Sequence, residues 1–343
     1  MNIRRALPKI LLSLCVIALS AADPALTKSA VSAALDSWAH EIVPALLPFL
    51  LAVPALTCPE ACALLSGAAR PVMRLIGCPD ALGAAWLSGL MSGSPAGALA
   101  AARAAENADC DEGALLRVSI AASGASPAFL MGVAGAALGG AGWTLVSAQA
   151  LGGLLTAHLM RPLHGAALEK RGVESGGGSV VMSAARALVT VAVYMALFSL
   201  PAAWGARLFG EGVRAALMML LELTGGCRAA AALNTGAPLK AAVMSAVCCF
   251  GGASVCAQAL AALQPSATGC ARYIYWKLVH AALSALIALA LTRLPSAIAL
   301  RPDADAFIAL PGTLTVALGA AYWRNKRRLK DTDRKIVSHG GRI

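Results

Sequence analysis

The chain has 343 residues, of which 59% are hydrophobic and 13% charged, with a formal net charge of +11 and a mean hydropathy of +0.72. Soluble domains carry about 25% charged residues, so this composition excludes an ordinary soluble enzyme or nucleic-acid-binding module. What remains is an all-α, polytopic transmembrane helical bundle, and apolar segments near the roughly 20 residues that cross hydrocarbon predict about 8–10 spans.

At the start, Arg4, Arg5 and Lys9 precede the apolar residues 10–22, which are short for a span and carry Ser20 and Ala22 at positions resembling a signal-peptidase site. An uncleaved first span is expected, because cytoplasmic termini at both ends require an even number of crossings. Residues 42–56 contain Pro44, Pro48 and Pro54, which remove backbone donors and predict a kinked span or a hairpin. Residues 58–79 mix Glu60, Arg70 and Arg74 with leucines and read as an amphipathic helix at the interface.

Next comes an apolar segment that stops at Ser92-Gly93-Ser94-Pro95-Ala96-Gly97, resumes, and closes at Arg103. Residues 106–112, with Asp109 and Asp111, read as an aqueous loop without chemistry. The span over 115–138 is itself interrupted by Ser123-Gly124-Ala125-Ser126-Pro127. A polar, glycine-rich linker over 161–182, with Gly176-Gly177-Gly178, then divides the chain into an N-terminal repeat (1–160) and a C-terminal repeat (183–323). The second half places Glu222 after the apolar residues 217–221, then breaks residues 243–263 at Gly251-Gly252-Ala253-Ser254. Arg324, Lys326, Arg327, Arg328 and Lys330 open a basic tail over 324–343, which reads as a cytoplasmic anchor and not as a nucleic-acid site. The same counting treats Arg70, Arg74, Arg207, Arg214, Arg272 and Lys277 as loop cations on the cytoplasmic side, against Arg161, Lys170, Arg171 and Arg301.

Lipid cannot hydrogen-bond freed backbone groups, so a break at membrane depth survives only when buried in protein or facing a wet cavity. Paired breaks in two halves therefore point to a transport site. Ser92, Gly93, Ser94, Gly97, Ser123, Ser126, Gly251, Gly252, Ser254 and Gln258 are the substrate-binding candidates. Half-helices starting near 96–98 and 255–257 would offer unpaired N–H groups to an anion, and the glycines would admit a ligand close to the backbone. The same small residues also suit close helix packing alone. Gln258 follows Ser254 by four and shares its helix face, facing either a ligand or a neighbouring helix.

A carboxylate at the centre of a membrane helix costs about 2.5–3.5 kcal/mol on insertion scales, which makes Glu222 a functional candidate. With Thr224 and Asn234 near in sequence, it either binds a coupling proton or cation or pairs with a base for structure. Arg103 and Arg117 flank the first break, and snorkelling is the reading for Arg117. His158, His164 and His280 are scattered and read as packed or headgroup-facing. The ten cysteines read as small hydrophobes, the alternative being a Cys58/Cys62/Cys78 metal site. No P-loop, HExxH or GxSxG occurs, so neither an enzyme nor a cofactor is expected.

The stretch Val43-Pro44-Ala45-Leu46-Leu47-Pro48-Phe49, then Arg70-Pro71, then the motif at 92–98 resembles nucleoside-recognition, or Gate, domain membrane proteins, and among them the YlbJ-type sporulation integral membrane proteins. Ser94 stands where that motif usually has an aromatic residue. Leu221-Glu222-Leu223-Thr224-Gly225-Gly226, and Phe250-Gly251-Gly252-Ala253-Ser254 with Gln258, are similar to that family and, more loosely, to the unwound helix of concentrative nucleoside transporters. The resemblance covers about residues 35–325. It implies two inverted repeats with broken helices, location in the mother-cell or outer forespore membrane, and movement of a small anion such as dipicolinate. The alternatives are a nucleoside-like solute, or a scaffold or assembly factor for spore formation. The partners implied are a small-molecule anion and the lipid bilayer, with a homo-oligomer left open.

Overall fold

A computed structural model describes residues 3–56, 59–106, 108–165 and 179–293, with no strand among them. The basic tail at 324–343, Cys58 and the middle of the 161–182 linker lie outside these described residues.

Helix α1 (Ile3–Ala22) ends at Asp23, whose carboxylate caps α2 (Pro24–Ser37) by accepting the Leu26 N–H at 2.9 Å, and the chain bends there by 110°. A π-helical turn, Trp38–Ile42, leads into α3 (Val43–Leu56). The three prolines thus lie within one helix and not in a hairpin. Pro44 follows directly on the π-helical turn, where the regular hydrogen-bond ladder is already interrupted. The interfacial pattern over 58–79 becomes α4 (Pro59–Ile76), which buries Leu65, Ala69, Met73 and Ile76 on one face. A 116° bend through the 3₁₀ turn Asp80–Leu82 joins it to α5 (Gly83–Ser92).

After α5 come α6 (Ala96–Glu106), α7 (Glu112–Ala121) and α8 (Pro127–Phe129), which runs on as a π-helix (Leu130–Gly135) and a 3₁₀ turn (Ala136–Leu138). The first half closes with the unbroken α9 (Gly142–Leu159). The second half contains α10 (Val180–Phe209), α11 (Glu211–Leu221), α12 (Leu223–Ala231), α13 (Ala237–Phe250), α14 (Gly252–Leu263) and the unbroken α15 (Ala267–Leu291). Among the described residues three segments are long and apolar enough to cross a membrane, Val180–Phe209, Ala237–Leu263 and Ala267–Leu291, or up to five when each bent pair counts as one span. These segments are compatible with a membrane protein.

Two buried clusters organise the interior. One gathers Met73, Ile76 and Leu82 with Leu116, Ile120, Cys256 and Tyr273; the other joins Phe129, Leu130 and Leu145 to Met195, Cys227 and Met244. Both clusters mix residues from the two halves of the chain. In the same way, α15 lies along α9 and α13, and α6 along α14.

The acidic stretch read as an aqueous loop carries structure instead. Asp111 caps α7 through the Ala114 N–H (2.7 Å) and also accepts from the Gly165 N–H (2.9 Å). The buried Glu112 accepts from the Ser266 N–H at 2.6 Å and the Ser266 hydroxyl at 3.0 Å, ahead of α15. Arg117 does not snorkel: it is 4% exposed and donates to the carbonyls of Leu163 (2.6 Å) and Gly77 (3.0 Å), where two orphan carbonyls solvate its charge.

Candidate functional site: two pairs of helix breaks

The break after α5 meets the break after α7. The Ser94 N–H donates to the Gly124 carbonyl at 2.8 Å. The approach is so close that a Cβ on Gly93, whose φ is +72°, would stand 2.6 Å from the Ser126 nitrogen. The freed backbone at Ala125 finds its partner in a side chain of α9: Gln149 Oε1 accepts the Ala125 N–H (3.0 Å), and Nε2 donates to its carbonyl (2.8 Å). Ser126 caps α8 through the Phe129 N–H at 3.2 Å, while the Ser92 and Ser123 hydroxyls donate to carbonyls of their own helices. Gly97 lies against Gly89, letting α5 and α6 touch backbone to backbone.

In the second half the break between α11 and α12 falls on Glu222, extended at φ −140° and ψ 134°. Its carboxylate caps α12, accepting from the Thr224 N–H (3.0 Å), the Thr224 hydroxyl (2.7 Å) and the Gly225 N–H (2.6 Å). A negative charge at a helix N-terminus is electrostatically favoured. The second member of this pair is the break at Gly251 and Gly252, with φ of +77° and +76°. A Cβ on Gly252 would lie 2.8 Å from the Glu222 nitrogen, so these breaks touch as the first pair does. Chain order is the same in both halves: two broken helices in contact, then one unbroken helix. Asn234 is not brought to Glu222; it is exposed in the α12–α13 connection, beyond a helix of 9 residues, about 13 Å at the usual rise.

Lys277 of α15 joins the two pairs. Its ammonium donates to the Ser123 hydroxyl at 3.0 Å, in the first pair, and to the carbonyl of Cys249, in the last turn of α13 before the second. The residue is fully buried, and no carboxylate pairs with it among the described residues. Sequence reasoning placed Lys277 with the loop cations because it weighed charge alone. The missed signal was spacing: Tyr273, Lys277, His280 and Ser284 recur at helical intervals on one face, and all four are completely buried. His280 packs inside, its Nε2 3.1 Å from the Gln149 carbonyl.

Several buried polar groups near the breaks have no partner among the described residues: the hydroxyls of Ser94 and Ser254, and both amide atoms of Gln258. Leaving such a group unpaired costs about 1–3 kcal/mol, so each calls for a polar partner, whether a water or a ligand. A cavity of about 810 Å³ between α2, α10, α11 and α12 reaches Glu222 and Gly225 from an outer end carrying Arg207 and Arg214. Its three arginines are paired, Arg207 with Asp23 (3.4 Å), Arg214 with Glu211 (3.3 Å) and Arg228 with Glu41 (3.3 Å). Of the cysteines in the alternative metal reading, Cys78 is engaged with the Ala114 carbonyl. Among the described residues no group of three His, Cys, Asp or Glu side chains is placed to hold a metal ion. Compared with protein-family models, with curated proteins and with solved structures, the chain matches none.

Proposed function

We propose that the chain is a secondary transporter or facilitator of a small anionic solute, with dipicolinate the leading candidate, acting in a sporulation membrane. The observation that carries this reading is that each half buries a touching pair of helix breaks with polar side chains left unpartnered beside them. Irregular backbone at membrane depth is tolerated where it serves such a site. The anionic class is supported by groups beside the breaks that can donate: the Gln258 amide, the Ser94 and Ser254 hydroxyls, and Lys277, with which no acid pairs among the described residues. Dipicolinate itself comes from the resemblance in sequence. On this reading the two halves are inverted repeats of a bundle of about 8–10 spans, with both termini in the cytoplasm. Glu222, with Thr224, is the group that exchanges the coupling proton at the wall of the cavity.

Uptake of radiolabelled dipicolinate and uridine into liposomes holding the purified protein tests the reading. Dipicolinate should accumulate above empty liposomes, and both Glu222→Gln and Gln258→Leu should stop it while membrane insertion stays unchanged. Preference for uridine would transfer the site to a nucleoside-like solute. Movement of neither under any ion gradient would leave a scaffold or assembly factor.

A further inference from the structure

A helix that stops inside a membrane leaves carbonyls in its last turn without N–H partners, and in transporters built from broken helices such carbonyls hold the coupling cation. In this chain that position is taken by a side chain. The carbonyl of Cys249 belongs to the final turn of α13, ahead of the break at Gly251, and it accepts from the Lys277 ammonium. The same ammonium meets the Ser123 hydroxyl at 3.0 Å, at the break that follows α7. One carbonyl and one hydroxyl oxygen, contributed by the two halves, therefore hold the Lys277 amino group near the middle of a helix of 25 residues. Carbonyl and hydroxyl oxygens accept from a lysine and equally ligate a hard monovalent cation, and no carboxylate completes an ion pair with Lys277 among the described residues.

The groups facing Lys277 agree. Cys249 on α13 and Cys256 on α14 present thiols, and Tyr273 and His280 lie one turn to either side on its own helix. On α9 the Gln149 carbonyl meets His280, and its amide is already bonded to Ala125. The acid of α7, Glu112, is held by Ser266 before α15 begins. We propose that Lys277 is a tethered cation standing where a coupling sodium ion would bind, so that the solute moves without sodium. This rests on the transport reading above, but its first test does not require transport.

The purified protein and its Lys277→Ala variant are compared by thermal unfolding in sodium chloride, choline chloride and propylammonium chloride at equal ionic strength. The unaltered protein should give one Tm in all three salts. Lys277→Ala should melt lower in choline and regain Tm with propylammonium, which refills the vacated space, or with sodium. A sodium-specific rise in the unaltered protein overturns the proposal, as does a variant that melts like the parent and ignores propylammonium. Should Lys277→Ala fail to fold, Lys277→Arg keeps a cation in place and should remain indifferent to sodium; a sodium response there overturns the proposal equally. In liposomes, dipicolinate uptake stimulated by an inward sodium gradient sinks the tethered cation while the transport reading stands. Absence of uptake under every gradient sinks the transport reading and leaves the salt-dependent melting to decide the role of Lys277.

Discussion

Gln149 shows how a single side chain makes a break tolerable. Ala125 has left helical geometry, and its N–H and carbonyl would be orphaned in the interior; the Gln149 amide supplies one acceptor and one donor at hydrogen-bond distance. Glycine suits position 124 beside it, because φ there is +147° and a Cβ would stand 2.3 Å from Gln149 Oε1, so that the amide would have to move off Ala125. Gln149→Leu conserves most of the bulk and leaves two buried backbone groups unpaired, each worth about 1–3 kcal/mol. We expect a lower Tm in detergent, and an unchanged Tm would show that the brace is dispensable. The break itself was legible in the sequence, since glycine, serine and proline act on the backbone they belong to. Its brace was not, because Gln149 is 24 residues away and nothing in local spacing connects the two. Lys277 is the opposite case, hidden only by the assumption that a basic residue marks a loop.

Whole elements show the same division between local and distant causes. α4 was readable from its pattern, because an amphipathic helix announces its buried face at 3.6-residue intervals. Residue pattern alone does not give the break ahead of α12, because helix caps are normally Ser, Thr, Asp or Asn, whereas here a glutamate folds back onto the second and third N–H groups of its own helix. The start of α7 was misread for a related reason: the partners of its acids lie at Gly165 and Ser266, far along the chain. Burial opposes ionisation of Asp111, yet the N–H groups of Gly165 and Ala114, helped by Arg117 and His164, outweigh it and hold the carboxyl below its ordinary range. A carboxyl depressed in the folded state stabilises the fold above its unfolded pKa, and that contribution is lost as pH falls through the folded value. The protein should therefore lose Tm as pH drops below about 4, and Asp111→Asn should flatten that acid limb. Parallel limbs for parent and variant between neutral pH and pH of about 3 would remove Asp111 from the account.

Over the whole molecule, the two halves are held to each other by more than the linker that joins them in sequence. α15 lies along α9 and α6 along α14. Glu112 holds Ser266 and Lys277 holds Ser123, each across 154 residues of chain, so a break in one half is completed by a residue of the other. Neither half keeps its buried polar groups satisfied alone: without the second, Glu112 loses the donors of Ser266, and without the first, Lys277 loses the Ser123 hydroxyl. Such a molecule should tolerate a cut in the glycine-rich linker but not the loss of either side. Residues 1–165 and 179–343, produced together as separate chains, are expected to insert and co-purify, whereas each produced alone should be degraded. Glu112→Ala in the first piece should lower the recovered complex, because it leaves the Ser266 N–H without its acceptor at the seam. Two pieces that accumulate independently and never associate would mean that the seam is not what holds the breaks together, and the shared site would lose its basis.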